Sequence, residues 1–349
     1  MSASDFGQIK DSLRGKLVVE TNDLALCAGD SLDLLDQIPD ATVGLIVTDP
    51  PYHITKKRNI TGDTAFATDE EYLRWLERFA SKWKRVLKAS GSLYLFCSPK
   101  LSAQIQVMLS KEFKVLAEIA WLKNNAPGYD GWKQKTRKES LRAWYQHSER
   151  IICCEPAAEG NLFRSPLGNL LRTVRKEAGL SMHELTEAIG EYGTVNHGGA
   201  VSNWEAGRNI PSREQYAKMR SVLCSAVRSA SMPDYEEIVR PFFLGNRTPY
   251  IDVWGFETVR QYRGKHPAEK PLELLEHIIC TSSYPDSVVL DCFAGSGNTG
   301  VAALRLHRKT ALLELNEKWL DRARRRLLGL DRNLPLQLHV SGNNGAHPI

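Results

Sequence analysis

Apolar positions along the chain fall into two rhythms. Short, nearly continuous apolar runs at Leu24–Ala28, Val43–Val47, Ser92–Cys97, Val115–Trp121, Glu149–Cys154, Ser287–Phe293 and Thr310–Leu315 read as strands. Between them, Glu70–Lys88 places Tyr72, Trp75, Leu76, Phe79, Trp83, Val86 and Leu87 at the i, i+3, i+4, i+7 spacing of an amphipathic helix. Further helices are predicted at about 100–111, 299–308 and 316–328. Strands separated by helices in this way imply a mostly parallel sheet. The rhythm breaks near Glu155, and residues 161–228 read as helical only. One α/β domain interrupted by an all-helical insert is expected, with a frayed tail over the last twenty residues.

Composition narrows the class without naming a function. A length of 349 residues suggests about two domains. Hydrophobic residues at 42% and charged at 25% fit an ordinary globular chain and exclude a collagenous or wholly disordered one. The 46 basic against 41 acidic residues give a net charge of +5, short of the strongly basic balance of many nucleic-acid binders. Seven cysteines without a C-x-x-C pair read as reduced, mostly buried thiols of a cytosolic protein. The N-terminal segment lacks the apolar core of a signal peptide, and no run approaches the roughly 18 apolar residues that span a bilayer. A soluble cytoplasmic chain without a membrane partner is expected.

The strand at Val288 runs straight into Ala294-Gly295-Ser296-Gly297-Asn298-Thr299-Gly300. A strand that ends in a glycine-rich turn and opens a helix lets backbone approach a ligand that Cβ atoms would exclude. Gly295, Gly297 and Gly300 satisfy G-x-G-x-x-G, and Glu314 ends the next strand, where a carboxylate can take ribose hydroxyls. The loop alone does not separate a nicotinamide cofactor from S-adenosylmethionine. Its place in the chain does help. Too little sequence follows Gly300 for more than one further strand–helix step, so N-terminal strands must complete the sheet.

Thr48-Asp49-Pro50-Pro51-Tyr52 ends the strand at Val43–Val47, at the carboxyl end where open α/β sheets bind ligands. Each proline fixes its own φ and holds the preceding residue extended, so Asp49 and Pro50 are rigid. The Asp49 carboxylate and the Pro50 carbonyl then form adjacent acceptors for the two hydrogens of an exocyclic amine. Accepting both aims the nitrogen lone pair at an electrophile, which is catalysis by positioning. Tyr52 offers an aromatic face on which an extruded base can stack.

TDPPY together with DCFAGSGNTG resembles the DNA amino-methyltransferases, which modify adenine N6 or cytosine N4 with S-adenosylmethionine. The order, catalytic turn first and glycine loop last, resembles their β-class. AGDSLDLL resembles the family segment whose aspartate, here Asp30, contacts the cofactor adenine. Trp121-Leu122-Lys123-Asn124 and His147-Ser148-Glu149 resemble segments of the catalytic half, and His266-Pro267-Ala268-Glu269-Lys270-Pro271 resembles the motif near the methionine carboxylate. The resemblance implies a Rossmann-like, seven-stranded sheet, with 22–155 as the catalytic half and 255–330 as the cofactor-binding half. It implies catalytic roles for Asp49, Pro50, Pro51 and Tyr52. It implies cofactor contacts from Asp30, His266, Lys270, Pro271, Asp291, Phe293, Ala294, Gly295, Ser296, Gly297, Thr299 and Glu314. Aspartate before Pro-Pro favours adenine N6 in double-stranded DNA after base flipping, with cytosine N4 as the alternative. Neither a metal nor a covalent enzyme intermediate is implied, so Cys292 beside the loop is expected only to pack.

The insert at 161–240 is legible by itself. Ser165-Pro166 opens a helix through Glu177, Ser181-Met182-His183-Glu184 is a capping box, and Pro211-Ser212 opens another helix over Arg213–Val227. This pattern, with Val201-Ser202-Asn203-Trp204-Glu205-Ala206-Gly207-Arg208, resembles the lambda-repressor-like helix-turn-helix. The resemblance implies a target-recognition region, with Asn203 facing bases and Arg208 near phosphate. The stretch from Gly190 to Val201 is about five residues longer than the usual turn of that family. Ten basic residues against nine acidic make the insert nearly neutral, and the other reading of it is a packing or dimerisation module, giving a homodimer.

Basic residues cluster elsewhere. Lys56, Lys57 and Arg58 follow Tyr52, and Lys133, Lys135, Arg137 and Lys138 are interleaved with Trp132 and Trp144, both candidates for phosphate contacts. Arg322, Arg324, Arg325 and Arg326 read as the exposed face of the last helix. Two further function classes stay open: a DNA-binding regulator on a methyltransferase scaffold, and a methyltransferase of RNA or protein amides.

Overall fold

The computed structural model describes residues 4–53, 66–123, 142–144, 146–191, 199–227, 231–245 and 250–329. The strands are β1 (Leu17–Glu20), β2 (Leu24–Ala28), β3 (Val43–Thr48), β4 (Leu87–Cys97), β5 (Phe113–Lys123), β6 (Ser148–Pro156), β7 (Val253–Phe256), β8 (Val288–Asp291) and β9 (Lys309–Glu314). They form a single sheet in the order β1-β2-β9-β8-β3-β4-β6-β5-β7. The helices are α1 (Asp5–Ser12), α2 (Ser31–Gln37), α3 (Asp69–Val86), α4 (Ser102–Leu109), α5 (Pro166–Glu177), α6 (Met182–Ala188), α7 (Ala200–Glu205), α8 (Arg213–Ala226), α9 (Tyr235–Ile238), α10 (Leu272–Ser282), α11 (Asn298–Arg305) and α12 (Glu317–Leu327).

Nine strands, not the seven expected, make the sheet. The seven apolar runs are all present. The two additions are four-residue edge strands with single buried positions, β1 paired antiparallel to β2 and β7 paired parallel to β5. Segments that short form a strand because a neighbour supplies the hydrogen bonds. The sheet is mixed, because β6 runs antiparallel to both β4 and β5.

Period-2 alternation sends neighbouring side chains to opposite layers. Leu93, Leu95 and Cys97 of β4 pack with α1–α4, whereas Tyr94 and Phe96 pack with α10 and α11. Among the described residues no helix is long and apolar enough to cross a membrane. All seven cysteines are free.

β3 and β8 are neighbours although some 240 residues separate them. From β3 the chain goes on to β4 on one side, and from β8 to β9 on the other, so the carboxyl ends of β3 and β8 flank a topological switch point, the usual ligand crevice of open α/β sheets.

Helices α5–α9 pack around Leu171, Leu185, Val201, Trp204, Tyr216, Met219 and Leu223. The expected caps form: Ser165 accepts from Gly168 N–H, and reciprocal boxes close at Ser181/Glu184 and Ser212/Gln215. This helical group sits at the rim of the sheet opposite the switch point. Ser90 Oγ donates to the Glu236 carbonyl at 2.6 Å, Lys114 and Arg240 pair with Glu155 at 3.4 and 3.3 Å, and Tyr284 donates to the Val239 carbonyl at 2.9 Å.

Candidate active site

A cavity of ≈ 490 Å³ opens at the switch point, within the size range of small-molecule sites. The Asp49–Tyr52 turn lines one part of it and the loop Phe293–Ser296 another. Also in its wall are Asp30, His266, Lys270, Asp291, Thr299 and Glu314. The cavity therefore gathers most of the residues expected from sequence. Pro271 and Gly297 stand just outside the wall, Pro271 as the residue before α10 and Gly297 as the residue before α11. Asn203 and Arg208 lie in the helical group at the opposite rim, where Arg208 donates to Asn203 Oδ1 at 3.1 Å. Lys56, Lys57 and Arg58 fall outside the described residues, as do Trp132, Lys133, Lys135, Arg137 and Lys138.

The glycine loop owes its path to its residues. Gly297 has φ of 79°, a left-handed conformation that L side chains rarely adopt. Gly300 lets α11 lie against β9, since a Cβ there would stand 2.6 Å from Leu312 Cδ1. Two carboxylates hold the loop. Glu314 accepts from the backbone N–H groups of Gly295 and Asn316, both at 2.8 Å. Asp291 accepts from Thr299 at 2.7 Å, from Phe293 N–H at 3.0 Å and from Thr48 at 3.2 Å, joining the end of β3 to the loop. Burial pushes the Asp291 carboxyl up to about 6 and raises that of Glu314. Cys292 packs as expected, its buried sulfur accepting from the Trp83 indole N–H at 3.3 Å.

The segment 266–271 is anchored from behind. Arg326 is 3% exposed, not a surface arginine as the helix pattern implied. It pairs with Glu269 at 3.0 Å, and Glu269 also accepts from Tyr262 at 2.6 Å. A helical charge pattern does not reveal one arginine turned inward toward a carboxylate 57 residues away. The His266 ring meets Trp319 edge-on at 4.3 Å. Burial, with Lys270 and Arg326 nearby, lowers the His266 pKa to about 4, so the imidazole is neutral at neutral pH.

Asp49 is held by a group that sequence reading placed on the cofactor. The Lys270 ammonium donates to Asp49 Oδ2 at 2.5 Å, while Asp49 Oδ1 is buried with no hydrogen-bond partner. Tyr52 donates to Glu149 Oε2 at 3.0 Å, and Lys123 also pairs with Glu149. Burial raises the Asp49 carboxyl; Lys270 works against that rise and Glu149 adds to it. Glu149 is itself held below the usual range by Lys270 and Lys123, despite its burial. On another side stands an aromatic wall: Phe66 lies 5.2 Å from Trp75, and Trp75 lies 5.1 Å from Phe79 and 5.8 Å from Phe293. The helical period read Trp75 and Phe79 as core, and nothing in it distinguishes core from cavity wall. Among the described residues no cluster fit for a metal ion is present.

Known proteins match this arrangement. Residues 43–325 match the N6_N4_Mtase family, described as DNA methylase. The chain is 27% identical over 302 residues to the DNA adenine methyltransferase YhdJ of Escherichia coli (strain K12), covering 86% of this chain and 81% of that one. It is 25% identical over 327 residues to the type II methyltransferase M.ScaI of Streptomyces caespitosus, covering 91% and 86%. The solved PvuII DNA methyltransferase, titled cytosine-N4-specific, shares the fold with a TM-score of 0.54 at 17% identity, over 92% of this chain and 91% of that one. With its matched region running from β3 through the glycine loop into α12, the chain belongs to the N6/N4 DNA methylases.

Proposed function

We propose that the protein methylates the exocyclic amine of a base in double-stranded DNA, adenine N6, at a specific site, after the base has been flipped into the cavity. The observation that carries this reading is Asp49: one carboxylate oxygen is tied to Lys270 and the other is buried without a partner beside Tyr52. An unpaired buried acceptor costs roughly 1–3 kcal/mol, and an incoming amine N–H relieves that cost. Tyr52, with its hydroxyl tied to Glu149, keeps its ring in the cavity wall for the base to stack on.

The methyl donor is S-adenosylmethionine, which when bound supplies an electrophilic methyl on a cationic sulfur. The residues present fit it. Asp30, Phe293, Gly295 and Glu314 line the loop end of the same cavity. The His266 imidazole, neutral at neutral pH, adds no positive charge to a cavity that would take a cationic donor. Asp49 orients the amine and the aromatic wall excludes water. As the nitrogen takes the methyl, leaving the donor a neutral thioether, Asp49 Oδ1, the amine's acceptor, takes the released proton and passes it to solvent.

Adenine is favoured by Asp49 ahead of Pro-Pro and by YhdJ, which is named an adenine methyltransferase. The likeness to a cytosine-N4-specific fold keeps N4 as the second reading. The helical group is proposed to contact DNA through Asn203 and Arg208. Its seat at the opposite rim means that this contact falls on DNA flanking the modified base. The other reading of the insert, a homodimer contact, predicts a doubled mass in light scattering. Transfer of labelled methyl to duplex DNA, followed by mass spectrometry of the nucleosides, is expected to yield N6-methyladenine. N4-methylcytosine overturns the base assignment, and binding of the donor without transfer overturns the enzymatic reading.

A further inference from the structure

We propose that Glu149 is a positioning residue for this reaction: by holding Lys270 and Tyr52 it keeps Asp49 Oδ1 open to the substrate amine. The inference rests on the amine-methylating reading above and assigns the residue that keeps its acceptor available.

Lys270 is 7% exposed, and its ammonium has three hydrogens to place. Three acceptors stand around it: Asp49 Oδ2 at 2.5 Å, Glu149 Oε2 at 3.3 Å and the Ala268 carbonyl at 3.4 Å. Two hydrogens go to Asp49 Oδ2 and the Ala268 carbonyl, and the ion pair with Glu149 draws the ammonium away from Asp49 Oδ1. Without Glu149 that pull is gone, and the second oxygen of the same Asp49 carboxylate is a buried acceptor with no hydrogen-bond partner. Lys270 would then straddle the Asp49 carboxylate and occupy the atom the amine needs. Glu149 also accepts from Tyr52, which sits three residues beyond Asp49, and pairs with Lys123 at the end of β5. It thus ties the catalytic turn, the 266–271 segment and β5 together at one carboxylate.

The same geometry sets the charge balance. The charged or titratable groups around Asp49 are Lys270, Glu149, Tyr52, Asp291 and Cys97, with Lys123 beyond Glu149. Glu149 opposes ionisation of Asp49, and Lys270 favours it. Removing either charge should therefore move Asp49 in opposite directions.

The experiment compares wild type with E149Q, E149A and K270Q by kcat and by the pH dependence of kcat/KM for methyl transfer. Calorimetric binding of S-adenosylmethionine supplies a readout independent of turnover. In E149Q the acid limb is expected to move down and donor affinity to stay within about threefold; in E149A, which also removes the acceptor that Gln keeps, kcat is expected to fall by about 10- to 100-fold, and an unchanged kcat there overturns the proposal. In K270Q the acid limb is expected to move up. An acid limb that stays in place in both E149Q and K270Q overturns the proposal, as do shifts of the same sign. Loss of donor binding in E149Q also overturns it, because Glu149 then supports the whole cavity and not the turn. A wild type that transfers no methyl fails the enzymatic reading instead, which separates the two outcomes.

Discussion

Two buried acid–base groups lie at opposite rims of the sheet, and they are built differently. In the helical group, Arg175 grips Glu205 with two nitrogens at 2.5 and 3.1 Å, and a third donates to the Leu180 carbonyl at 2.7 Å. Both side chains are below 10% exposed, and both carboxylate oxygens are occupied. At the switch point a lysine stands in place of the arginine fork. Its ammonium is shared between Asp49 and Glu149, and Asp49 keeps one buried oxygen unpaired. Planar guanidinium suits closure of a carboxylate, whereas a compact ammonium can serve two carboxylates and complete neither. A fully satisfied buried pair fixes the positions of two helices. A half-satisfied one keeps an acceptor for a guest, at a cost in stability.

The comparison breaks first at Glu205. Replacing it with Ala leaves the Arg175 guanidinium buried and unpaired, a change expected to cost about 3–5 kcal/mol. Urea unfolding measures the loss. Methyl transfer per folded molecule is expected to stay unchanged on a short duplex. A fall in specific activity as large as the fall in stability would mean that the two rims are mechanically one.

Asp49 is expected to behave in the reverse way. Asp49→Ala should reduce kcat by about 10²–10³, the effect of removing one oriented hydrogen-bonding group from a reacting centre. Lys270 retains Glu149 as its partner in that variant, so the melting temperature should hold or rise. A variant that transfers methyl at the wild-type rate removes the basis of the proposed function.

A smaller effect separates the rims by pH. The folded-state pKa of His266, about 4, lies below its ordinary 6.5, so the unfolded chain takes up the proton first as pH falls. The corresponding stability is present in full above about 6.5 and is lost as pH drops toward 4, on the order of 2 kcal/mol between pH 7 and pH 5. His266→Gln should flatten that part of the stability profile. A profile equally steep in the variant would place the acid sensitivity elsewhere.

These contrasts show why some of the molecule was legible in sequence and some was not. The DPPY turn and the glycine loop carry their chemistry within a few consecutive residues, and both stand where a strand must end. The capping boxes of α6 and α8 are local in the same sense. The Asp49–Lys270–Glu149 cluster is not, because Lys270 is 221 residues from Asp49 and 121 from Glu149, which is itself 100 from Asp49, and they meet only when β3, β6 and the start of α10 converge at one rim. Glu149 was legible only as part of His147-Ser148-Glu149, a segment resembling the catalytic half, with nothing to tie its carboxylate to Lys270. β1 and β7 left almost none, having four residues each and no apolar alternation beyond one buried position. Asp291 and Glu314 were legible as carboxylates beside the loop, but their hold on its backbone emerges only from the fold.

The smallest expected effect concerns the DNA contact proposed for the opposite rim. Glu149 and Glu155 lie on the same strand, six residues apart, so the anchor of the helical group is roughly 20 Å from the Asp49–Lys270–Glu149 cluster. A duplex just long enough to load the cavity need not reach Asn203 or Arg208. The double variant Asn203→Ala, Arg208→Ala should therefore methylate a duplex of about 12 base pairs at the wild-type rate, because neither side chain touches the cavity. On a duplex extending several turns beyond the site, it should bind about tenfold more weakly, on the scale of one lost base contact. Equal affinity for long DNA in variant and wild type would remove the DNA-reading role of the helical group and leave the Arg175–Glu205 pair as the core of a packing module. A loss confined to the short duplex would instead require the DNA to run along the strands from one rim to the other.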